Sequence, residues 1–341
     1  MDSLTQLALG AAIGEATLGK REGNKAILWG AIIGTVPDLD IMLYPFIDEV
    51  QELAVHRGLS HSIFFAVGFS LLLGRLLVSV YGGKRTSWLA WAWMSFLALL
   101  THALLDSFTH YGTQLFQPFS NYPVAFNTIS IIDPLYTVPL LVGVVGALFL
   151  KRRDPRRQWL NRAGLLLSTA YLALTVVNKA HVTSRFSEAL DQQYGGFERL
   201  TTNPSLFNNL LWTGIAERAD TLLVGTYSLL DDAGPIRFEA LPKRTGLIAP
   251  YLGDTPVQRL LWFSRGYFTV DSLAGGQLAF RDVRFPRSDL WLDQGGDYLF
   301  SFDLVLNPDA TAVTTFHATG VSPKVTAELW HRYVRRILGD R

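Results

Sequence analysis

The amino-acid sequence predicts an α-helical membrane domain followed by a small, mostly β soluble domain. Three observations carry that expectation. Four apolar stretches of 17 to 20 residues approach the length of a bilayer span. Charged residues are only 17% of the 341 positions and mean hydropathy is +0.21, whereas soluble chains carry about 25% charge. The apolar pattern also stops near residue 180, where short β-like runs separated by turn residues take over.

The elements follow in order. Two short apolar stretches, Leu4 to Leu18 and Ala26 to Val36, are rich in Gly and Ala and joined by Lys20, Arg21 and Lys25. Each is short for a span, and small residues allow close helix approach, so they predict a buried pair of short helices. The stretches Ser62 to Tyr81, Ser87 to Leu105, Pro134 to Leu150 and Leu160 to Asn178 predict four transmembrane helices, since about 20 apolar residues cross about 30 Å of hydrocarbon. Arg75, an internal charge in the first, is expected to snorkel or pair within the bundle. Asp2 and Glu15 stand where a cleavable signal would need a basic start and an unbroken apolar core, so none is expected. This membrane domain is assigned to residues 1–180 and the soluble domain to residues 181–341.

In the soluble part, Leu222 to Leu229, Leu260 to Phe263, Tyr298 to Leu306 and Thr311 to Phe316 read as strands. Turn signals at Asp231 to Pro235 and Gly295 to Asp297 separate them. His181 to Leu200 is polar and compatible with a helix, and Val325 to Leu338 has helical periodicity.

Three connections are basic: Lys20 to Lys25, Lys84-Arg85 and Lys151 to Arg157. Counting spans alternately puts all three on one face. The opposite loop, Ser107 to Asp133, has no Lys or Arg. The positive-inside rule makes the basic face cytoplasmic and the C-terminal domain extracytoplasmic. The net charge of +1 argues against a nucleic-acid partner.

Unusual polar residues concentrate in four patches. They are Met1-Asp2-Ser3-Leu4-Thr5-Gln6, Pro37-Asp38-Leu39-Asp40, His56-Arg57-Gly58-Leu59-Ser60-His61-Ser62, and Thr101-His102 through His110-Tyr111-Gly112. In the predicted topology all of these sit at helix ends on the outer side, where ionisable groups in a membrane domain need a partner. His102 and Asp106 are four residues apart on one helix face, and His110 extends the row if the helix persists. Asp38 and Asp40 can both reach an ion from a loop or a turn. Gly58 lends the backbone freedom to fold His56 and His61 inward. With no cysteine in the chain, any metal rests on His and carboxylate ligands.

These motifs resemble the LexA-regulated, inner-membrane metal-dependent hydrolases of the YdjM type. The resemblance covers roughly residues 1–180. It rests on the opening Met-Asp-x-Leu-Thr, Pro37-Asp38-x-Asp40, His56-Arg57-Gly58-x-Ser60-His61-Ser62, and His102-x-x-Leu105-Asp106-x-x-Thr109-x-Tyr111-Gly112. It implies a metal-dependent hydrolase of the bacterial inner membrane. The family usually carries His where this chain has Gln6, which implies a two-metal site reduced to one ion or completed by water.

The expected ligands are Asp38, Asp40, His56, His61, His102 and Asp106, holding one or two divalent ions, Zn²⁺ foremost, with Mn²⁺ or Mg²⁺ as alternatives. Asp40 or Asp38 is the expected general base, and Arg57 is expected to hold a phosphate oxygen. Gln6, Ser60, Thr109, His110 and Asp133 are expected to support the ligands, although Asp133 before Pro134 also reads as a helix cap. A site at the membrane boundary favours a membrane lipid or a lipid-linked phosphoester. A transporter or another non-hydrolytic metal-binding membrane protein is the alternative. Transporters place such groups near the bilayer midplane, and a closed structural zinc site needs only four ligands.

Overall fold

A computed structural model of the chain describes residues 1–232, 234–292, 295–321 and 326–340. Two compact units divide it. The first comprises Met1–Leu43, Val55–Val177 and Leu206–Asn208, and the second Tyr44–Ala54, Asn178–Ser205 and Asn209–Arg341. The division departs from a single cut at residue 180 in two places. Glu49 pairs with His317 and accepts the Ala318 N–H, which places 44–54 with the second unit. The Phe207 N–H donates to the Ile132 carbonyl, which places Leu206–Asn208 with the first.

The first unit opens with α1 (Ser3–Glu22) and α2 (Asn24–Thr35). Asp2 caps α1 by accepting the Thr5 N–H at 3.0 Å, satisfying a donor that the first turn cannot. The two helices pack backbone to backbone. A Cβ placed on Gly10 would fall 2.3 Å from the Gly30 carbonyl oxygen, and one on Gly14 would fall 2.0 Å from that of Ala26. Glu15, which interrupts the first apolar stretch, is fully buried and receives both arms of the Arg157 guanidinium at 2.9 and 2.6 Å. A buried charge persists when it is paired in this way.

Pro37 lacks an N–H and ends α2. The 3₁₀ segment Pro37–Phe46 continues at a bend of 43°. After α3 (Glu49–Val55) and a 3₁₀ turn at Leu59–His61 come α4 (Ile63–Tyr81), α5 (Trp88–Ser107), α6 (Pro134–Leu148) and α7 (Pro155–Tyr194). Ser62, Ser87 and Asp133 cap α4, α5 and α6.

Three of these helices, α4, α5 and α7, are long and apolar enough to cross a bilayer, and α2 with Pro37–Phe46 adds a fourth only if the bent pair is one span. The expected set of four is thus met in part, by α4, α5 and α7. α6 has 15 residues, about 22 Å of helix against about 30 Å of hydrocarbon. The last expected span is part of a single 40-residue helix, because the polar stretch after Asn178 continues the helix to Tyr194. The Arg75 guanidinium lies 3.9 Å from the Trp88 ring centroid, a cation–π pairing.

The three basic connections share one end of the helices. The Thr86 hydroxyl donates to Glu22, Arg152 donates to the Arg21 carbonyl, and Lys25 lies over the Tyr81 ring. The N-termini of α1 and α4 and the C-termini of α2 and α5 meet at the opposite end. Ala8, Leu9, Leu105, Tyr136 and Leu140 form one core patch, and Leu18, Ile33, Leu73, Trp91 and Leu99 form another.

The second unit contains two four-stranded antiparallel sheets. The first runs β1 (Arg199–Pro204), β2 (Leu211–Arg218), β3 (Thr221–Ser228) and β4 (Phe238–Pro242) in sequential order. Val182 and Phe186, from the end of α7, pack on Trp212 and Tyr227 of this sheet. The helix α8 (Thr255–Ser264) precedes the second sheet, β5 (Phe268–Ser272), β6 (Leu278–Asp282), β7 (Ser301–Leu306) and β8 (Val313–Ala318), and α9 (Ala327–Ile337) closes the unit.

Of the expected strands, Leu260 to Phe263 is corrected: it lies within α8. Val257, Leu260 and Ser264 recur at helical spacing and are buried on one face. A run of four apolar residues is too short to show that period alone. Within the expected turn at Asp231 to Pro235, Ala233 lies outside the described residues, as does Val325 at the start of the expected final helix.

Candidate metal centre

Four side chains converge where α2, α4 and α5 meet. Asp38 comes from the 3₁₀ segment after α2, His61 from the turn before α4, and His102 and Asp106 from the last two turns of α5. One ligand atom from each lies within 4.8 Å of every other. His61 and His102 face one another through their Nε2 atoms at 3.1 Å. Asp38 Oδ1 is 3.5 Å from His61 Nε2 and 3.4 Å from His102 Nε2. Asp106 Oδ2 is 3.5 and 3.8 Å from the same two nitrogens. His61, His102 and Asp106 are buried, while the Asp38 side chain keeps 24% of its surface exposed.

The surrounding hydrogen bonds decide which way the imidazoles offer their lone pairs. His102 Nδ1 lies 2.6 Å from the Gly34 carbonyl, which can only accept. The proton is therefore on Nδ1, and Nε2 presents a lone pair to the cluster. His61 Nδ1 lies 3.0 Å from Ser60 Oγ, whose own hydroxyl donates to Asp40 Oδ2 at 3.3 Å. His61 thus also donates from Nδ1 and points a lone pair inward. Asp106 Oδ2 is buried without an aligned hydrogen bond, although Arg57 Nε stands 3.1 Å away. Four acceptor atoms therefore meet and call for a proton or a cation between them. Burial pushes the His61 imidazole down, but the Asp106 and Asp38 carboxylates outweigh it and hold it above its ordinary value, the response expected of a proton placed there.

Five of the six separations match a divalent ion. Ligand bonds of 2.0–2.2 Å in a tetrahedron place neighbouring donor atoms about 3.3–3.6 Å apart, and these five run from 3.1 to 3.8 Å, while Asp38 and Asp106 lie within 4.8 Å of each other.

The other expected site residues are placed around this group. Asp40 and His56 pair with each other, Oδ1 to Nδ1 at 3.1 Å, and stand outside the set of four. Asp38 and Asp40 diverge because the 3₁₀ turn rotates them apart. Asp40 Oδ2 also accepts the Arg57 N–H at 2.9 Å, so this carboxylate organises the 56–61 turn. Arg57 is buried, with Nη1 donating to Thr109 Oγ1 at 2.8 Å. Its guanidinium is committed to Asp106 and Thr109. Arg57 holds a left-handed backbone at φ 56°, uncommon for a side chain with Cβ, so the turn reverses at Arg57 rather than at Gly58.

Gln6 Nε2 donates to Asp106 Oδ1 at 2.8 Å. Ser60 holds His61, and Thr109 holds Arg57. The helix stops at Ser107, so His110 does not continue the row of His102 and Asp106; it is buried in the loop beyond. Asp133 caps α6 and accepts the Tyr171 hydroxyl at 2.8 Å.

Two contributors were not anticipated from the sequence. The Met1 amino group is buried against Asp106 Oδ1, and the Gly34 carbonyl orients His102. A main-chain carbonyl leaves no mark on residue type.

A model of the YdjM inner membrane protein family matches residues 1–182, a region that contains every residue of this cluster. The chain belongs to the YdjM inner membrane protein family. Within this family framework the apolar helices place it in a membrane. A Bacillus subtilis (strain 168) protein, YfhP, described as uncharacterized, is 30% identical over 151 residues, covering 42% of this chain and 45% of YfhP. The chain thus spans less than half the length of that relative. No solved structure matches it significantly.

Proposed function

We propose that this family member is a metal-dependent hydrolase working at a membrane boundary, with Asp38, His61, His102 and Asp106 holding one divalent ion, Zn²⁺ foremost. The observation that carries the reading is the convergence of four lone pairs, two of them imidazole nitrogens fixed inward by their Nδ1 hydrogen bonds. When bound, such an ion supplies Lewis acidity toward an ester oxygen and acidifies water to a pKa of about 7.

The chain's own residues do the rest. Arg57 and Gln6 hold the two oxygens of Asp106 in place. Ser60 and Asp40 fix the ring of His61. His56, oriented by Asp40 and partly exposed, is the group placed to take or return a proton near the cluster. This shifts the base from the expected Asp40 or Asp38 to His56, since Asp40 is occupied by three donors and Asp38 is one of the four proposed to hold the ion.

Asp38 is the most open of the four, and its neighbours Leu39, Ile41 and Met42 are exposed apolar residues. That mouth suits an amphiphile, a lipid or lipid-linked phosphoester, better than a small polar substrate. The outer side of the inner membrane remains the side proposed for the site.

One observation favours a different reading. Arg57 and the Met1 amino group both pair with Asp106, so the network is partly charge-balanced without an ion. It then serves as a polar junction of helix ends.

Metal content of the detergent-purified protein separates the two. We expect about one ion per chain, lost in a folded His61→Ala/His102→Ala variant, and hydrolysis of lipid phosphoesters that falls at least 100-fold in His56→Ala while the metal stays. No metal after incubation with Zn²⁺ or Mn²⁺ would leave the polar junction as the account. Metal without hydrolysis would leave a binding protein.

A further inference from the structure

The basic end of the first unit, opposite the metal centre, holds a cavity of about 440 Å³. Lys20, Arg152, Arg153 and Arg162 line it, with Trp159 and Asp154. The carboxylate of Asp154 is already neutralised: the Arg156 guanidinium, outside the lining, binds both of its oxygens at 3.2 and 3.0 Å. Arg152 is held in position by its bond to the Arg21 carbonyl at 2.8 Å. Lys20, Arg153 and Arg162 form no ion pair among the described residues, and all three are exposed. Four cations therefore face one hollow against a single carboxylate, which Arg156 already engages.

The cavity continues onto a helix face that suits acyl chains. Trp159, Arg162 and Leu166 lie at i, i+3 and i+7 on α7, so they share one side. Trp159 is 68% and Leu166 70% exposed. A tryptophan at the end of an apolar helix, beside arginines, is the side-chain pattern of a membrane interface.

We infer that this cavity binds one anionic phospholipid, its phosphate among Lys20, Arg153 and Arg162 and its chains along Trp159 and Leu166. A free phosphate shares the headgroup chemistry but gains nothing from the apolar face. Basic hollows between membrane helices are suited to such headgroups. The inference stands apart from the reaction proposed at the other end, since none of these residues touches the metal centre.

The test is native mass spectrometry of the full chain from detergent, titrated with phosphatidylglycerol, phosphatidylcholine or inorganic phosphate. We expect one phosphatidylglycerol to bind at least tenfold more tightly than phosphatidylcholine. The variant K20Q/R153Q/R162Q should lose on the order of 100-fold, because each basic side chain at an anionic surface contributes roughly fivefold. Trp159→Ala should weaken lipid binding, and K84Q/R85Q, on the same end but outside the cavity, should change it less than twofold. Equal binding of the two lipids by the wild type would overturn the inference even if the triple variant failed to fold. So would an equal loss in K84Q/R85Q, which would mean a general surface effect, or displacement of the lipid by equimolar phosphate, which would mean a free-anion site.

Discussion

At the scale of single residues, the site depends on groups that aim other groups. Asp40 is not among the four converging side chains, yet it accepts from Ser60 and the Arg57 backbone and pairs with His56. Removing such an outer partner commonly weakens metal affinity by about 10–100-fold without abolishing it. Asp40→Asn should therefore retain metal with an affinity reduced by about that factor, whereas Asp106→Asn should lose it, as measured by competition with a fluorescent chelator.

Another residue-scale expectation concerns Glu217 in the second unit. Burial pushes its carboxyl up, but Lys243 and Arg199 outweigh that and hold it below its ordinary value. A depressed carboxyl stabilises the fold fully above the unfolded value of about 4.3 and loses that contribution as pH falls through the folded value. Thermal unfolding followed by tryptophan fluorescence should show Glu217→Gln less stable by about 2 kcal/mol at pH 7, since Lys243 is left buried without its counter-charge. The gap should narrow below pH 4.

At the scale of elements, the α1–α2 contact sets the position of the site. Gly10, Gly14, Gly30 and Gly34 let the backbones touch, and Gly34 both supplies the carbonyl that orients His102 and precedes the turn bearing Asp38. A Cβ at Gly10 has no room, so Gly10→Ala must push α2 away and should destabilise the protein by about 1–3 kcal/mol, the range for overpacking a tight core. Metal occupancy should drop with it, measured on the fraction that elutes as folded protein. The small-residue composition made a close helical hairpin legible in the sequence. Which carbonyl would reach which imidazole was not, because that depends on register across the pair.

At the scale of the whole molecule, the three basic connections lie together at one end, as the alternation of spans required. Orientation in the membrane is then a prediction from charge asymmetry. The chain has no cysteine, so single replacements report cleanly. Ser120→Cys, in the loop at the metal end, should react with a membrane-impermeant maleimide in intact spheroplasts, and Lys84→Cys only after lysis. The reverse labelling would put the metal end in the cytoplasm.

Residue type and spacing by themselves determined that apolar helices precede a β-rich region, that small residues would bring the first two helices into contact, and that His61, His102, Asp38 and Asp106 stand at helix ends. Those are local properties, readable from hydropathy, period and caps. Tertiary structure decided the rest. It separated Asp38 from Asp40, gave Asp40 to His56, committed Arg57 to Asp106, and shortened α6 below the thickness of a bilayer while running α7 on through a polar stretch. It also turned Leu260 to Phe263 into helix. Each outcome depends on which partner a polar atom or an apolar face meets across the fold, and a side chain's identity states only what it can bond, not what it reaches.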